Sequence, residues 1–151
     1  MIQYPISFYT NATSKLGIHS TWEIDSQNRR SRCAIPPEFE GPGGGFSPED
    51  LFAQALANCF IATFKVYAEK SRIDFEDLSV NAELTVDLDE QKRPVMKKCI
   101  ITAVVELVGG QNLNASRISM LAEKAFRSGF VLNSVKTDLS FKFEIKSTQP
   151  A

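Results

Sequence analysis

The chain has 151 residues and a mass of 16.8 kDa, and 43% of its residues are hydrophobic while 23% are charged. This length is enough to bury roughly two thirds of the unfolded surface without disulfides, so we expect a single domain over residues 1–151. Seventeen Lys and Arg stand against eighteen Asp and Glu, a formal charge of −1, which leaves no overall basic field for phosphate backbones or anionic lipid. We therefore expect neither nucleic acid nor a membrane as a partner.

The number and spacing of the cysteines and the histidine limit which kinds of disulfide or metal site the chain could form. The chain carries three cysteines, Cys33, Cys59 and Cys99, with no CxxC spacing, and a single histidine, His19. This pattern argues against a disulfide framework and against a zinc site, so we expect no bound metal or cofactor. The first twenty residues contain no apolar segment of the kind found in secretory signals. We expect a cytoplasmic protein whose thiols stay free.

Apolar residues alternate with polar ones in the first third of the chain. This two-residue period predicts a strand at the start of the chain and a second one further on. The apolar positions are Ile2, Tyr4, Ile6 and Phe8 in the first strand, and Trp22 and Ile24 in the second. The N-terminal third therefore reads as a small antiparallel sheet.

A long helix is predicted to begin at Pro48. Ser47 supplies an N-cap, Pro48 suits the first helical position, and the acids after it suit the first turn. The helix should run to about Lys70, and most of its polar side chains fall on one narrow line, with apolar residues on nearly all other sides. We expect a helix that is buried on most sides. Because a domain of this size has little material to cover such a helix, we also expect a homodimer.

The remainder of the chain predicts a hairpin, a second helix and a final strand. Alternating residues indicate strands near 79–89 and 99–107, before a break at Gly109 and Gly110. A helix fits from Asn114 to Ser128 with Gly129 as its stop, and alternation returns from Leu139 to Ile145. With no βαβ alternation visible, we expect an α+β fold with antiparallel sheets.

Cys59 and Glu49 are the candidate catalytic residues, and each has a plain structural explanation. Cys59 could be a small core residue of the helix, whereas a reactive thiolate would need a nearby cation and access for a substrate. Glu49 could simply favour the positive end of the helix dipole. Ten residues separate the two, or about 15 Å of helix rise. They could share one site only if an antiparallel copy of the helix brings Glu49 of one chain toward Cys59 of the other.

The segment FEGPGGGFSPEDLFAQALANCFIATFKVYAE resembles the OsmC and organic hydroperoxide resistance family. It has a glycine-rich loop, a PEDL helix start and a cysteine ten residues after the glutamate. The resemblance extends to WEID, DLSVNAELTVDLDE and VKTDLSFKFEIKS, so it covers essentially the whole chain. It implies an OsmC-like fold and an intertwined homodimer around two antiparallel helices.

The resemblance also implies a reaction. In that family the helix cysteine, here Cys59, is the thiolate that attacks an organic hydroperoxide, giving an alcohol and a sulfenic acid. A second cysteine then forms a disulfide, which an external thiol or dithiol reduces, and an arginine oriented by the glutamate, here Glu49, stabilises the thiolate. No bound cofactor is required.

The chain departs from the family pattern at two positions. Counting back from FKFEIKS puts the family's second cysteine at Gly129, so the resolving cysteine is absent. The family's arginine also has no direct match, since one of its possible positions carries Glu38. Arg29, Arg30 and Arg32 are the possible substitutes by charge, with Lys15 a weaker one, although such a cluster of arginines is most often a solvated turn.

Two functions are therefore open. The first is thiol-dependent reduction of organic hydroperoxides, for oxidative-stress defence, through the single peroxidatic Cys59. Its sulfenic acid would be resolved by an external thiol or, failing that, by Cys33 or Cys99. The second is a diverged OsmC-like protein that binds a hydrophobic ligand with little or no peroxidase activity.

Overall fold

A computed structural model describes residues 2–107 and 114–147, so the expected break at Gly109 and Gly110 lies outside the described residues. In chain order the elements are β1 (Asn11–Thr13), β2 (Trp22–Ser26), β3 (Arg29–Cys33), α1 (Pro48–Lys70), β4 (Asp77–Leu88), β5 (Pro94–Leu107), α2 (Ala115–Ser128) and β6 (Asp138–Ser147). Short 3₁₀ turns occur at Pro37–Phe39 and Leu132–Ser134. The chain divides into two compact units, Met1–Leu51 and Phe52–Ala151.

The first unit contains an antiparallel sheet in the order β1, β2, β3. The predicted strand at Trp22 is confirmed, but the polar segment after it is a tight hairpin and not an open turn. Gln27 and Asn28 have φ of 53° and 66°, the two positive values that a type I′ turn needs. Consequently the arginine cluster lies on strand β3 and not in a solvated turn.

The predicted opening strand is wrong for the chain as described. Residues 2–10 form no strand, and their apolar side chains are exposed, from 49% at Ile6 to 86% at Phe8. Alternation satisfies only one requirement of a strand, because the backbone also needs a neighbour to hydrogen-bond with. Within the part of the chain that the structure describes, strand pairing with β2 begins only at Asn11.

The start of α1 is held by reciprocal hydrogen bonds between Ser47 and Asp50. The Ser47 hydroxyl accepts from the Asp50 backbone N–H at 3.0 Å, and the Asp50 carboxylate accepts from the Ser47 N–H at 2.9 Å. This is a capping box, which satisfies two N–H groups that the helix itself leaves unpaired. The predicted N-cap is confirmed. The segment before it is tied to β3, since Phe46 N–H donates to the Arg32 carbonyl at 2.9 Å.

The second unit is a three-stranded sheet in the order β4, β5, β6, with a core formed against α1 and α2. The predicted hairpin of β4 and β5 is confirmed, and the two strands pair antiparallel from Asp77 with Glu106 to Leu88 with Pro94. The inward face of β5 is fully buried at Cys99, Ile101, Ala103 and Val105. Helix α2 begins at Ala115, because the Asn114 side chain accepts the Ser116 N–H, and ends at Ser128 as predicted.

The expectation of purely antiparallel sheets is wrong for β6, which runs parallel to β5 from Lys98 with Asp138 to Leu107 with Ser147. The helix between them is the reason. Two neighbouring parallel strands need a crossover that carries the chain from the end of the first strand back to the end of the sheet where that strand began. Helix α2 lies in this connection. The β5–α2–β6 segment is thus a βαβ unit, which the apolar spacing of its parts did not reveal.

Helix α1 is buried on one face in the single chain, and not on most sides as expected. Its buried residues are Leu56, Ala57, Phe60, Phe64 and Ala68. By length and composition α1 could also span a membrane, with a mean hydropathy of 1.3 over 18 residues, of which 28% are buried. A core helix passes the same criteria, so they do not distinguish the two cases.

Candidate functional site

Cys59 lies near the middle of α1, half-buried at the edge of the core of the second unit. The rotation of α1 about its axis is fixed by Leu56 and Phe60, which are both fully buried in the core. The Thr63 hydroxyl donates to the Cys59 carbonyl at 2.8 Å. The sulfur is therefore positioned by a helix that is itself anchored through its apolar face.

Gly129, directly after α2, lies against the sulfur of Cys59. A Cβ atom on residue 129 would be 2.6 Å from Cys59 Sγ and 2.9 Å from Leu132 Cδ1, well inside van der Waals contact. The backbone of Gly129 has φ −66° and ψ 133°, which any residue adopts. The glycine is thus required by its neighbours and not by its backbone conformation. Sequence reasoning missed Leu132, whose only signal is its place three residues after Gly129.

The other two cysteines are buried, Cys33 at 1% and Cys99 at 0% exposure. Burial raises the pKa of the Cys33 thiol. Burial, together with the charge of Glu83, raises the pKa of the Cys99 thiol. Since the thiolate is the nucleophile, both groups are held in their unreactive form. All three cysteines are free thiols, and Cys59 is the one with exposed surface.

Glu49 lies in the first turn of α1, as predicted, and one of its carboxylate oxygens, Oε2, is buried without a hydrogen-bond partner. A buried carboxylate oxygen is costly unless a donor or a cation meets it. Within residues 2–107 and 114–147, the ion pairs do not include Glu49. The single chain therefore leaves Glu49 in need of a donor.

The three candidate arginines differ in what they already contact. Arg30 pairs with Asp25 at 3.2 Å, and Arg29 reaches Gln27 Oε1 at 3.5 Å. Arg32 is exposed, and its side chain makes no hydrogen bond or ion pair with any residue that the structure describes. The structure does not bring any of the three into an ion pair with Glu49. Of the three, Arg32 therefore has the uncommitted guanidinium, meaning the one without a hydrogen bond or ion pair to a described residue.

The sequence of this chain matches a known protein family. The family model described as "OsmC-like protein" matches residues 41–144 of this chain. The chain belongs to the OsmC-like family. This match includes α1 with Glu49 and Cys59 and extends into β6, so the resemblance drawn from the sequence is confirmed.

Solved OsmC-like structures share the fold. An OsmC-like protein of unknown function from Vibrio cholerae is similar with a TM-score of 0.83 and 17% identity, over 92% of this chain and 99% of that one. An organic hydroperoxide resistance protein from Legionella pneumophila is similar with a TM-score of 0.67 and 23% identity, over 94% and 99%. OhrB of Bacillus subtilis, an organic hydroperoxide resistance protein, gives a TM-score of 0.62 and 21% identity, over 92% and 98%.

One curated relative is similar in sequence. The uncharacterised protein YmaD of Bacillus subtilis is 32% identical over 81 residues, which make up 54% of this chain and 54% of that protein. The aligned region thus spans about half of this chain and about half of YmaD.

Proposed function

We propose that this protein reduces organic hydroperoxides in oxidative-stress defence, with Cys59 as the attacking thiolate. The observation that carries the proposal is that Cys59 is the one cysteine that keeps exposed surface, in an OsmC-like chain that has Glu49 ten residues before it. The likeness to solved proteins named for organic hydroperoxide resistance supports the same reaction class. In that reaction the sulfur takes one oxygen atom from the hydroperoxide, and an alcohol leaves.

Cumene hydroperoxide tests the proposal directly. The wild-type protein should lose its reactive thiol and consume the hydroperoxide, while Cys59→Ser should do neither. Cys99→Ala is the matched control, because its buried thiol should contribute nothing to the rate. A Cys59→Ser protein that consumes hydroperoxide at the wild-type rate would defeat the proposal.

We propose that Arg32 supplies the cation that stabilises the Cys59 thiolate, oriented by Glu49. The proposal is supported by the uncommitted guanidinium of Arg32 and by the unpaired Oε2 of Glu49. Arg32→Ala should slow the reaction of Cys59 with hydroperoxide. Arg30→Ala is the control, because Arg30 is already paired with Asp25. Equal rates for Arg32→Ala and wild type would exclude Arg32.

A homodimer completes this proposal. It is supported by the single buried face of α1, which leaves residues such as Val66 half exposed at 50%, and by the exposed apolar residues 2–8. In an antiparallel pair of α1 helices, Glu49 of one chain should approach Cys59 of the other more closely than Cys59 of its own chain. Sedimentation should show a dimer at micromolar concentration. A monomer there would contradict the pairing, as would a structure with the shorter Glu49 to Cys59 distance within one chain.

A second candidate, binding of a hydrophobic ligand without turnover, is favoured by two observations. Among residues 2–107 and 114–147 no cation pairs with Glu49, and the apolar residues Phe130 and Val131 are exposed at 62% and 39% directly after Gly129. If cumene hydroperoxide leaves Cys59 reduced while an apolar fluorescent probe binds and is displaced by fatty acids, the binding function is the correct one.

A further inference from the structure

The reduction of an oxidised Cys59 is the step for which the chain offers no internal partner. Cys99 sits in the central strand β5, with its backbone paired to Leu84 on β4 and to Leu139 on β6. Moving its sulfur outward would break hydrogen bonds on both sides of the sheet. Its thiol is also fully buried, and its pKa is raised by burial and by Glu83. Cys99 is therefore unsuited to attack a sulfenic acid at Cys59.

Cys33 is held in the same manner within the first unit. Its backbone pairs with Trp22 across the β2–β3 hairpin and forms a bridge with Phe46 on its other side. The side chain is 1% exposed, and burial raises the pKa of its thiol. A thiol in this environment is inert toward disulfide exchange, which requires a thiolate with access to its target.

Gly129, which lies against the sulfur of Cys59, carries no side chain. A Cβ on Gly129 would lie 2.6 Å from Cys59 Sγ, so any thiol carried at residue 129 would be adjacent to it. With glycine there, residue 129 brings no sulfur to this contact. Cys59 itself keeps exposed surface, through which a thiol from solvent can reach it.

We propose that oxidised Cys59 is resolved by a small external thiol, and that a Cys59 mixed disulfide is an obligatory intermediate that persists until a second thiol arrives. This inference rests on the proposed peroxidase function. The external thiolate attacks Sγ of the sulfenic acid, an S–S bond forms, and the oxygen leaves as water after taking up a proton. A second thiolate then attacks the external sulfur and releases the Cys59 thiolate with the disulfide of the reductant. Two thiols are oxidised for each hydroperoxide reduced.

The half-burial of Cys59 favours a small thiol over a protein thiol. Cys59 is packed against the apolar core and is only half exposed, and Gly129 lies against its sulfur. A cysteine on a folded protein must bring its own backbone up to this half-buried residue, whereas a thiol on a flexible small molecule reaches it without displacing the protein. We therefore expect glutathione-sized thiols to regenerate the enzyme faster than thioredoxin.

The central experiment needs no hydroperoxide, so it stands apart from the proposed function. Native protein is treated with 5,5′-dithiobis(2-nitrobenzoate), and excess reagent is removed. We expect one coloured thiolate to be released per chain as Cys59 is labelled, and the adduct then to persist. Added glutathione should release the second coloured thiolate. The wild-type result would overturn the inference if the second thiolate left without added thiol and a Cys59–Cys33 or Cys59–Cys99 peptide appeared, or if Cys59 were not labelled.

Two variants and a second assay sharpen the test. Gly129→Cys should discharge its Cys59 adduct without added thiol, because the new sulfur is adjacent, while Gly129→Ala should not. In the peroxide assay, glutathione should sustain turnover, and a Cys59 mixed disulfide should be trapped at low glutathione. Turnover with thioredoxin and none with small thiols would overturn the inference. A Cys59 left reduced by hydroperoxide would instead refute the proposed function while the labelling result stood.

Discussion

The sulfur of Cys59 and the main chain of Gly129 are in direct apposition, and a Cβ on residue 129 would lie 2.6 Å from Sγ. The backbone at Gly129 has φ −66°, a conformation that any residue can adopt. A side chain at this position is disfavoured only because it would contact its neighbours. It is also the position to which the family resemblance assigns the resolving cysteine. Residue 129 is therefore close enough to Cys59 for a disulfide, but the glycine there carries no sulfur.

A cysteine introduced at Gly129 should form a disulfide with Cys59. In a disulfide each Cβ lies about 3 Å from the partner's sulfur, so a shift of a few tenths of an ångström from the present 2.6 Å is enough. Mild oxidation of Gly129→Cys should remove two hydrogens from the intact mass and link the two residues in a peptide map. Gly129→Ala, which adds bulk without sulfur, is the control and should show overpacking, with a loss of about 1–3 kcal/mol in unfolding free energy. A Gly129→Cys protein that keeps both thiols after oxidation would contradict this geometry.

Wild-type Cys59 should oxidise past the sulfenic acid when hydroperoxide is in excess and no thiol is present. A neighbouring thiol protects a sulfenic acid by condensing with it, and Gly129 provides none. Intact-mass analysis should show sulfinic and sulfonic acid at Cys59, and glutathione added beforehand should suppress both. Gly129→Cys under the same treatment should be protected. Loss of two hydrogens in the wild type, with a Cys59 crosslink to Cys33 or Cys99, would show that a buried cysteine resolves the intermediate after all.

Ser47→Ala should destabilise the protein by about 1 kcal/mol, measured as the free energy of unfolding in urea. The substitution removes the hydroxyl that accepts the Asp50 N–H at 3.0 Å, and Ser47 is only 5% exposed, so water does not fully replace it. Ser119→Ala, at an exposed position inside α2, is the matched control and should change stability little. Because the cap positions the first turn of α1, hydroperoxide reduction should fall as well if Glu49 takes part. Equal stabilities for the two variants would argue against the capping box.

Asp89→Asn should lower the free energy of unfolding more at neutral pH than in acid. Hydrogen bonds from the Arg93 backbone, then from the Arg93 side chain and the Gln91 backbone, lower the pKa of the Asp89 carboxyl. A carboxyl whose folded pKa lies below its unfolded value, about 3.9, contributes stability above that value and loses the contribution as pH falls through the folded pKa. Urea unfolding at pH 7 and pH 3 should show the difference from wild type shrinking on acidification. Glu90→Gln, in the same turn, is the control, and a difference independent of pH would refute this linkage.

Several parts of the molecule follow from local sequence. The start of α1 was predictable because Ser47, Pro48 and Asp50 each match a chemical requirement of a helix N-terminus. The β4–β5 hairpin and α2 were predictable because their apolar residues repeat with the periods of a strand and a helix. Cys59 and Gly129 were both singled out through the family resemblance, and the structure places them against each other.

Other parts did not follow, because they depend on partners far away in the chain. Nothing local in Leu139 to Ile145 says which direction β6 takes beside β5, since a strand has the same alternation in a parallel or an antiparallel pair. The alternation of Ile2 to Phe8 likewise could not say whether a neighbouring strand exists to pair with it. Which arginine is uncommitted depended on the β2–β3 register, which pairs Arg30 with Asp25 and leaves Arg32 free of that carboxylate.

The sequence by itself determined the family, the helix that carries Glu49 and Cys59, and the absence of a cysteine at residue 129. It could do so because caps, periodicity and residue identity are properties of neighbouring residues. Only the tertiary structure decided that Cys33 and Cys99 are buried in unreactive form, that Cys59 keeps exposed surface, and that Gly129 is the residue against its sulfur. Reactivity depends on solvation and on contacts between distant segments, and those are created only when the strands and helices pack together.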